Sequence, residues 1–98
     1  MIIYDKAAWH IDAGMNEKDV VDKLANVFKF LNAKDLLTDE GKEQLELGID
    51  ESCSLNERCV TDKGNRFLTE YYDSVISCDA ETITEALSLN YQKFEERL

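Results

Sequence analysis

Residues 16–34, NEKDVVDKLANVFKFLNAK, place Val20, Leu24, Val27 and Leu31 at helical spacing, with Val21 and Phe28 alongside. Apolar residues three and four apart fall on one side of an α-helix, and that side must find a core. Asn16 has the chemistry of an N-cap, and Asp19 follows three residues later in a weak capping box. The spacing predicts a helix over 17–33.

The same logic extends along the chain. Thr38 caps a second helix over 38–47, whose first turn holds Asp39 and Glu40 against the positive end of the helix dipole. Thr61 caps a third over 62–76, where Leu68, Tyr71, Tyr72, Val75 and Ile76 mark a core-facing stripe. Asp79 or Thr82 starts a fourth over 80–97, where Thr82 and Glu85 fit a capping box and Ile83, Leu87, Tyr91, Phe94 and Leu98 lie on one side. Met1 to Tyr4 is β-prone, and Trp9-His10-Ile11 is read as an extension or partner of that strand. Ile49 to Val60 has no strong period and reads as a loop or a single helical turn. The expected fold is therefore mainly α: a compact single domain over 1–98, built as a bundle of about four helices behind a short N-terminal β-strand or hairpin. The expected core contains Leu24, Val27, Phe28, Leu31, Leu68, Tyr71, Tyr72, Val75, Ile83, Leu87 and Phe94.

Two helix starts echo each other at an offset of 23 residues: LTDEGKEQL from Leu37 and VTDKGNRFL from Val60. Shared capping chemistry accounts for the threonine and the acid. A glycine at the third helical position, Gly41 and Gly64, is unusual because it weakens a helix by up to ~1 kcal/mol relative to alanine. Close approach of another backbone over both glycines is the expected reason.

Charge is the strongest functional signal. The 98 residues carry 21 Asp and Glu against 11 Lys and Arg, a formal charge of −10. Such a field attracts basic partners and repels nucleic acid, whose phosphates demand Lys and Arg clusters. The acids are also unevenly placed: Asp35, Asp39, Glu40, Glu43, Glu46, Asp50 and Glu51 face Lys42 alone, and 67–92 hold acids with no Lys or Arg.

Catalytic and cofactor chemistry finds little footing. His10 is the only histidine, and a general base needs a nucleophile and an orienting acid brought to it. Cys53, Cys59 and Cys78 form an odd set without a local nucleophile signature, which fits reduced thiols in the cytoplasm. With His10 they lack the short Cys-x2-4-Cys knuckle of a zinc site. The segment from Asp50 has Leu55 and Thr61 where a calcium loop needs glycine and glutamate. No phosphate-cradling glycine loop is present, and neither a signal peptide nor a membrane span is indicated. No cofactor, no metal, no direct nucleic acid and no membrane contact are expected.

The segments AWHIDAG (8–14), LGIDES (47–52) and FLTEYYD (67–73), with the size and acidity of the chain, resemble the small acidic bacterial immunity proteins that neutralise contact-dependent or polymorphic toxins. Those proteins share no single fold, so the resemblance implies a partner class and no residue correspondence. It implies an inhibitor, not an enzyme, that covers the basic active site of a nuclease-type toxin domain. From the charge, the expected partner-binding residues are Asp39, Glu40, Glu43, Glu46, Asp50, Glu51, Glu70 and Asp73, with Tyr71 or Tyr72 as aromatic anchors if either is exposed. Two alternatives stand beside it: a DNA-mimic inhibitor of a nucleic-acid-binding protein, and a small enzyme pairing His10 with a cysteine.

Overall fold

The computed structural model describes all residues, 1–98. In chain order, strand β1 (Ile3–Lys6) runs directly into helix α1 (Ala7–Asp12), followed by α2 (Glu17–Ala33) and α3 (Asp39–Leu47). Strand β2 (Ser54–Asn56), α4 (Asp62–Tyr71), a 3-10 turn (Tyr72–Ser74) and α5 (Ile83–Glu96) complete it. The chain is mainly helical, with one two-stranded antiparallel sheet of β1 and β2.

The caps form as their chemistry requires. Asn16 accepts from the Asp19 amide, Thr38 from Gly41 and Thr61 from Gly64. Each satisfies an amide that has no partner inside its own helix. At α5 the structure departs from the expected capping box: Thr82 makes no side-chain cap, and the helix starts at Ile83. Asp79 instead gathers the Glu81 and Thr82 amides and the Thr82 hydroxyl at 2.8–3.1 Å, building a turn where helix was expected from residue 80.

Three further corrections concern short elements. Trp9-His10-Ile11 is helical, not extended: Ala7 donates its amide to the Cys53 carbonyl at 3.1 Å as the chain leaves the sheet, and α1 begins there. The segment expected to be a loop holds β2, where Ile3 pairs with Asn56, Asp5 with Leu55 and Lys6 with Ser54 across a bulge. The expected helix over 62–76 stops at Tyr71, and the chain tightens into the 3-10 turn.

The two echoing helix starts lie against each other. Leu37 and Val60 form an antiparallel bridge, and the flanking bonds are reciprocal: Thr38 donates to the Cys59 carbonyl at 3.0 Å and Thr61 to the Leu36 carbonyl at 2.8 Å. The same two carbonyls press on the glycines. A Cβ on Gly41 would overlap the Cys59 carbonyl oxygen and sit 3.0 Å from its carbon, and one on Gly64 would sit 3.0 Å from the Leu36 oxygen. The backbone approach expected at both glycines is present.

Of the expected core, all but Tyr71 are buried. Their centre is an aromatic group in which Phe67 meets Tyr91 edge to face at 5.1 Å, with Phe30 5.9 Å from Tyr91 and Phe94 5.5 Å from Phe67. Such pairs add about 0.5–1.5 kcal/mol beyond the area they bury. Tyr71 stays at the edge because α4 ends there, and its ring packs on Phe67 at 5.7 Å while its hydroxyl accepts from Arg97 at 3.1 Å.

Candidate functional site

The acids expected to bind a partner fall into two groups on different elements. Asp39, Glu40, Glu43 and Glu46 project from α3, and Asp50 and Glu51 from the turn behind it; all six are exposed. None of them forms an ion pair within the protein. Asp50 is fixed in place, accepting from the Ser52 hydroxyl and amide at 2.5 and 2.8 Å. Those bonds favour its charged form and lower its pKa. Leu47, 80% exposed, lies among these acids.

The second group does not form one surface. Glu70 is exposed but is held by Arg97, and Asp73 is exposed without an ion pair. Tyr71 is half-buried. Tyr72 is 1% exposed and packs in the core, four residues on from buried Leu68 on the same side of the helix, so it is no surface anchor.

Tyr72 leads to a cluster that sequence reasoning missed. Its hydroxyl donates to Asp5 Oδ2 at 2.6 Å. Asp5, fully buried on β1, also accepts at Oδ1 from His10 Nε2 at 2.7 Å and from the Lys6 amide at 2.9 Å. The Lys23 ammonium stands 3.9 Å from Oδ2 and donates to the Ile76 carbonyl. Burial lowers the Lys23 pKa, with Asp5 and then Cys78 opposing. Burial raises that of Tyr72, and the Asp5 charge adds to it. A buried carboxylate survives only when donors surround it, and this one is served from β1, α1, α2 and the 3-10 turn. No local pattern marks it, because Asp5 is one acid among 21 and its partners lie at 10, 23 and 72.

His10 is thus oriented by an acid but bonds to no thiol, and it lines none of the surface depressions. Cys59 is buried among Gln44, Ser54 and Asn56, and burial pushes the Cys53 thiol up to about 12. A thiol that holds its proton so firmly is a poor nucleophile. The three cysteines are free, no group of three or more His, Cys, Asp or Glu is arranged to hold a metal ion, and no helix is long and apolar enough to cross a membrane.

Two depressions have appreciable size. A cleft of about 620 Å³ lies between Ile2 and Tyr4 on one side, the outer face of α4, and Phe94 and Leu98. Within it Glu57 faces the amino terminus and Glu70 faces Arg97, while Asp62 and Arg66 form no ion pair. The other, about 420 Å³, opens at the start of α2, with Asp19, Asp22, Asp79 and Glu81 among its walls.

No family model matches the chain, and neither a curated protein nor a solved structure is similar to it.

Proposed function

We propose that the protein is an acidic protein-binding module that neutralises a basic partner, a nuclease-type toxin domain, by covering its active site. The observation that carries this reading is the set of uncompensated acids on α3 and the following turn. Asp39, Glu40, Glu43, Glu46, Asp50 and Glu51 are exposed and lack internal counter-ions, in a chain whose formal charge is −10. Carboxylates without internal partners keep their full field for an approaching surface, and fields of this kind accelerate encounter. They also do little for the fold, since exposed pairs would be worth only about 0–1 kcal/mol.

The chemistry elsewhere supports the same reading. The His10 imidazole is committed to Asp5, and the Cys53 thiol is held protonated by burial, so neither offers an activated nucleophile at a cavity.

The test is a panel of purified basic bacterial nuclease domains, each assayed for nucleic-acid cleavage with and without the protein. One domain should be inhibited stoichiometrically, and stopped-flow association should slow steeply with added salt. Glu43→Lys with Glu46→Lys and Glu51→Lys should slow association far more than they speed dissociation. Failure to inhibit any domain, or association indifferent to both salt and these reversals, would refute the proposal.

A further inference from the structure

The largest cleft is built on one side of α4. Asp62, Asn65, Arg66, Thr69 and Glu70 follow the three- and four-residue spacing that puts side chains on a single helix face, and all five line the cleft. Phe67 and Leu68, on the other side of the helix, are buried in the core. Ile2 and Leu98, 53% and 64% exposed, stand on the walls. Open apolar side chains gathered at one concavity are the mark of an interaction surface.

Charge decides what such a surface can receive. Glu70 is spent on Arg97 and Glu57 on the amino terminus. Asp62 and Arg66 remain, both exposed, opposite in sign and one turn apart on α4, without an ion pair to each other or to any neighbour. Their free charges cancel. The other depressions are weighted toward acid: four acids face Lys18 and Lys23 in one, and Asp73 and Asp50 stand without a cation in the other two. Copies of a chain with a formal charge of −10 repel one another across surfaces of that kind, and the α4 cleft is where that repulsion is least. A strongly basic partner, by contrast, would meet Arg66 and Arg97 there, and none of the α3 acids lines it.

We propose that a second copy of the chain docks on this face, about a two-fold axis that crosses α4. A two-fold axis brings the same patch of both copies together, so the patch must complement itself. One unpaired acid and one unpaired base on the same helix meet that condition. With the two α4 helices antiparallel, Asp62 of each copy faces Arg66 of the other, and both pairs form at once. The antiparallel order also sets the helix dipoles against each other favourably. Ile2 and Leu98 of each copy leave water against the cleft of the other, which supplies an apolar contribution beside the ion pairs. The inference goes beyond the toxin-binding reading and does not rest on it: the α3 acids stay outside the contact, and the dimer carries two sets of them.

The experiment is sedimentation equilibrium of the full chain at constant ionic strength, with circular dichroism to confirm that each variant is folded. The wild type should show a reversible monomer–dimer equilibrium. Asp62→Arg and Arg66→Asp each put like charges at both symmetric contacts, and each should weaken the dimer by about tenfold or more. The two substitutions move the net charge in opposite directions, so weakening by both cannot come from net charge. Mixing the two variants sets two arginines against two aspartates and should restore the dimer that neither forms alone. Ile2→Ser with Leu98→Ser should weaken it as well. A wild type that stays monomeric at millimolar concentration overturns the proposal and leaves the cleft to a smaller ligand. A dimer indifferent to both reversals lies on another face, and variants that fail to associate on mixing exclude the two-fold pairing; either result also overturns it. Nuclease inhibition is read separately, since every one of these variants keeps the α3 acids.

Discussion

Replacing Gly41 by alanine should destabilise the protein far more than the same change at Gly64, although both glycines occupy the third position of a helix. Alanine returns up to ~1 kcal/mol of helix propensity at either site. At Gly41 the new methyl would overlap the Cys59 carbonyl oxygen, with the carbonyl carbon 3.0 Å and Leu37 Cδ2 3.1 Å away. That oxygen is main chain and accepts from the Thr38 amide, so relief requires the paired segments to separate. Overpacking of this kind costs about 1–3 kcal/mol, and a weakened buried hydrogen bond adds about 1 kcal/mol. The net expectation is a loss of about 1–3 kcal/mol, or roughly 4–24 °C in Tm for a domain of this size. At Gly64 the methyl meets the Leu36 oxygen and Val60 Cβ at 3.0 Å, which a shift of a few tenths of an ångström relieves. Its net change should lie within about 1 kcal/mol of zero, because the propensity gain offsets the contact. Urea unfolding followed by circular dichroism and Trp9 fluorescence measures both, with equal m-values required for the comparison. A Gly41→Ala variant as stable as the wild type, or a Gly64→Ala variant that is the worse of the two, would refute the reasoning.

The buried carboxylate and the raised acids give two further expectations. Asp5→Asn leaves the Lys23 ammonium without its anion and should cost about 3–5 kcal/mol. Tyr72→Phe removes one bond to a charged acceptor and should cost about 1.5–3 kcal/mol; an Asp5→Asn protein with an unchanged urea midpoint would contradict the account. Stability should also fall on the alkaline side. From pH 9.0 to about 12 the native protein keeps a Cys53 proton that the unfolded chain loses, and Tyr72 acts in the same direction above 10.0. Lys23 opposes them below 10.5, since its native form releases its proton first. Each group contributes up to about 1.4 kcal/mol per pH unit, so Cys53→Ala should flatten the decline that begins near pH 9. A decline of the same steepness in that variant would assign it elsewhere.

What the chain shows of its fold, and what it hides, follows from the range of the interactions. Helix α2 is legible because its cap and stripe both lie inside residues 16–33, and the Thr38 and Thr61 caps are local in the same sense. β2 is not, because Ser54-Leu55-Asn56 has one buried residue and no room for alternation; its strand character comes from β1, some 50 residues earlier. α1 is hidden for a related reason. It has no side-chain cap, and Trp9 and Ile11 carry β propensity that tertiary position overrides. Tyr71 and Tyr72 read alike in a helical stripe, and only the neighbours tell them apart: Tyr72 meets the buried Asp5, whereas Tyr71 meets Arg97 at the surface. The acids of α3 are visible as composition and found on the surface, whereas Asp5, the acid with the most structural consequence, has the least distinctive surroundings in sequence.

The position of Asp5 also sets an order of events during synthesis. The hydroxyl that completes its shell lies 67 residues later, which at 5–20 residues per second is a delay of roughly 3–13 s. For most of that interval β1 has no β2 to pair with, and throughout it the Asp5 carboxylate lacks Tyr72. The helical hairpin of α2 and α3 can gather first, the sheet can pair once β2 follows, and the buried cluster closes only when Tyr72, beyond α4, arrives. Contacts of such sequence separation slow folding, and here they make β1 wait for a partner synthesised long after it.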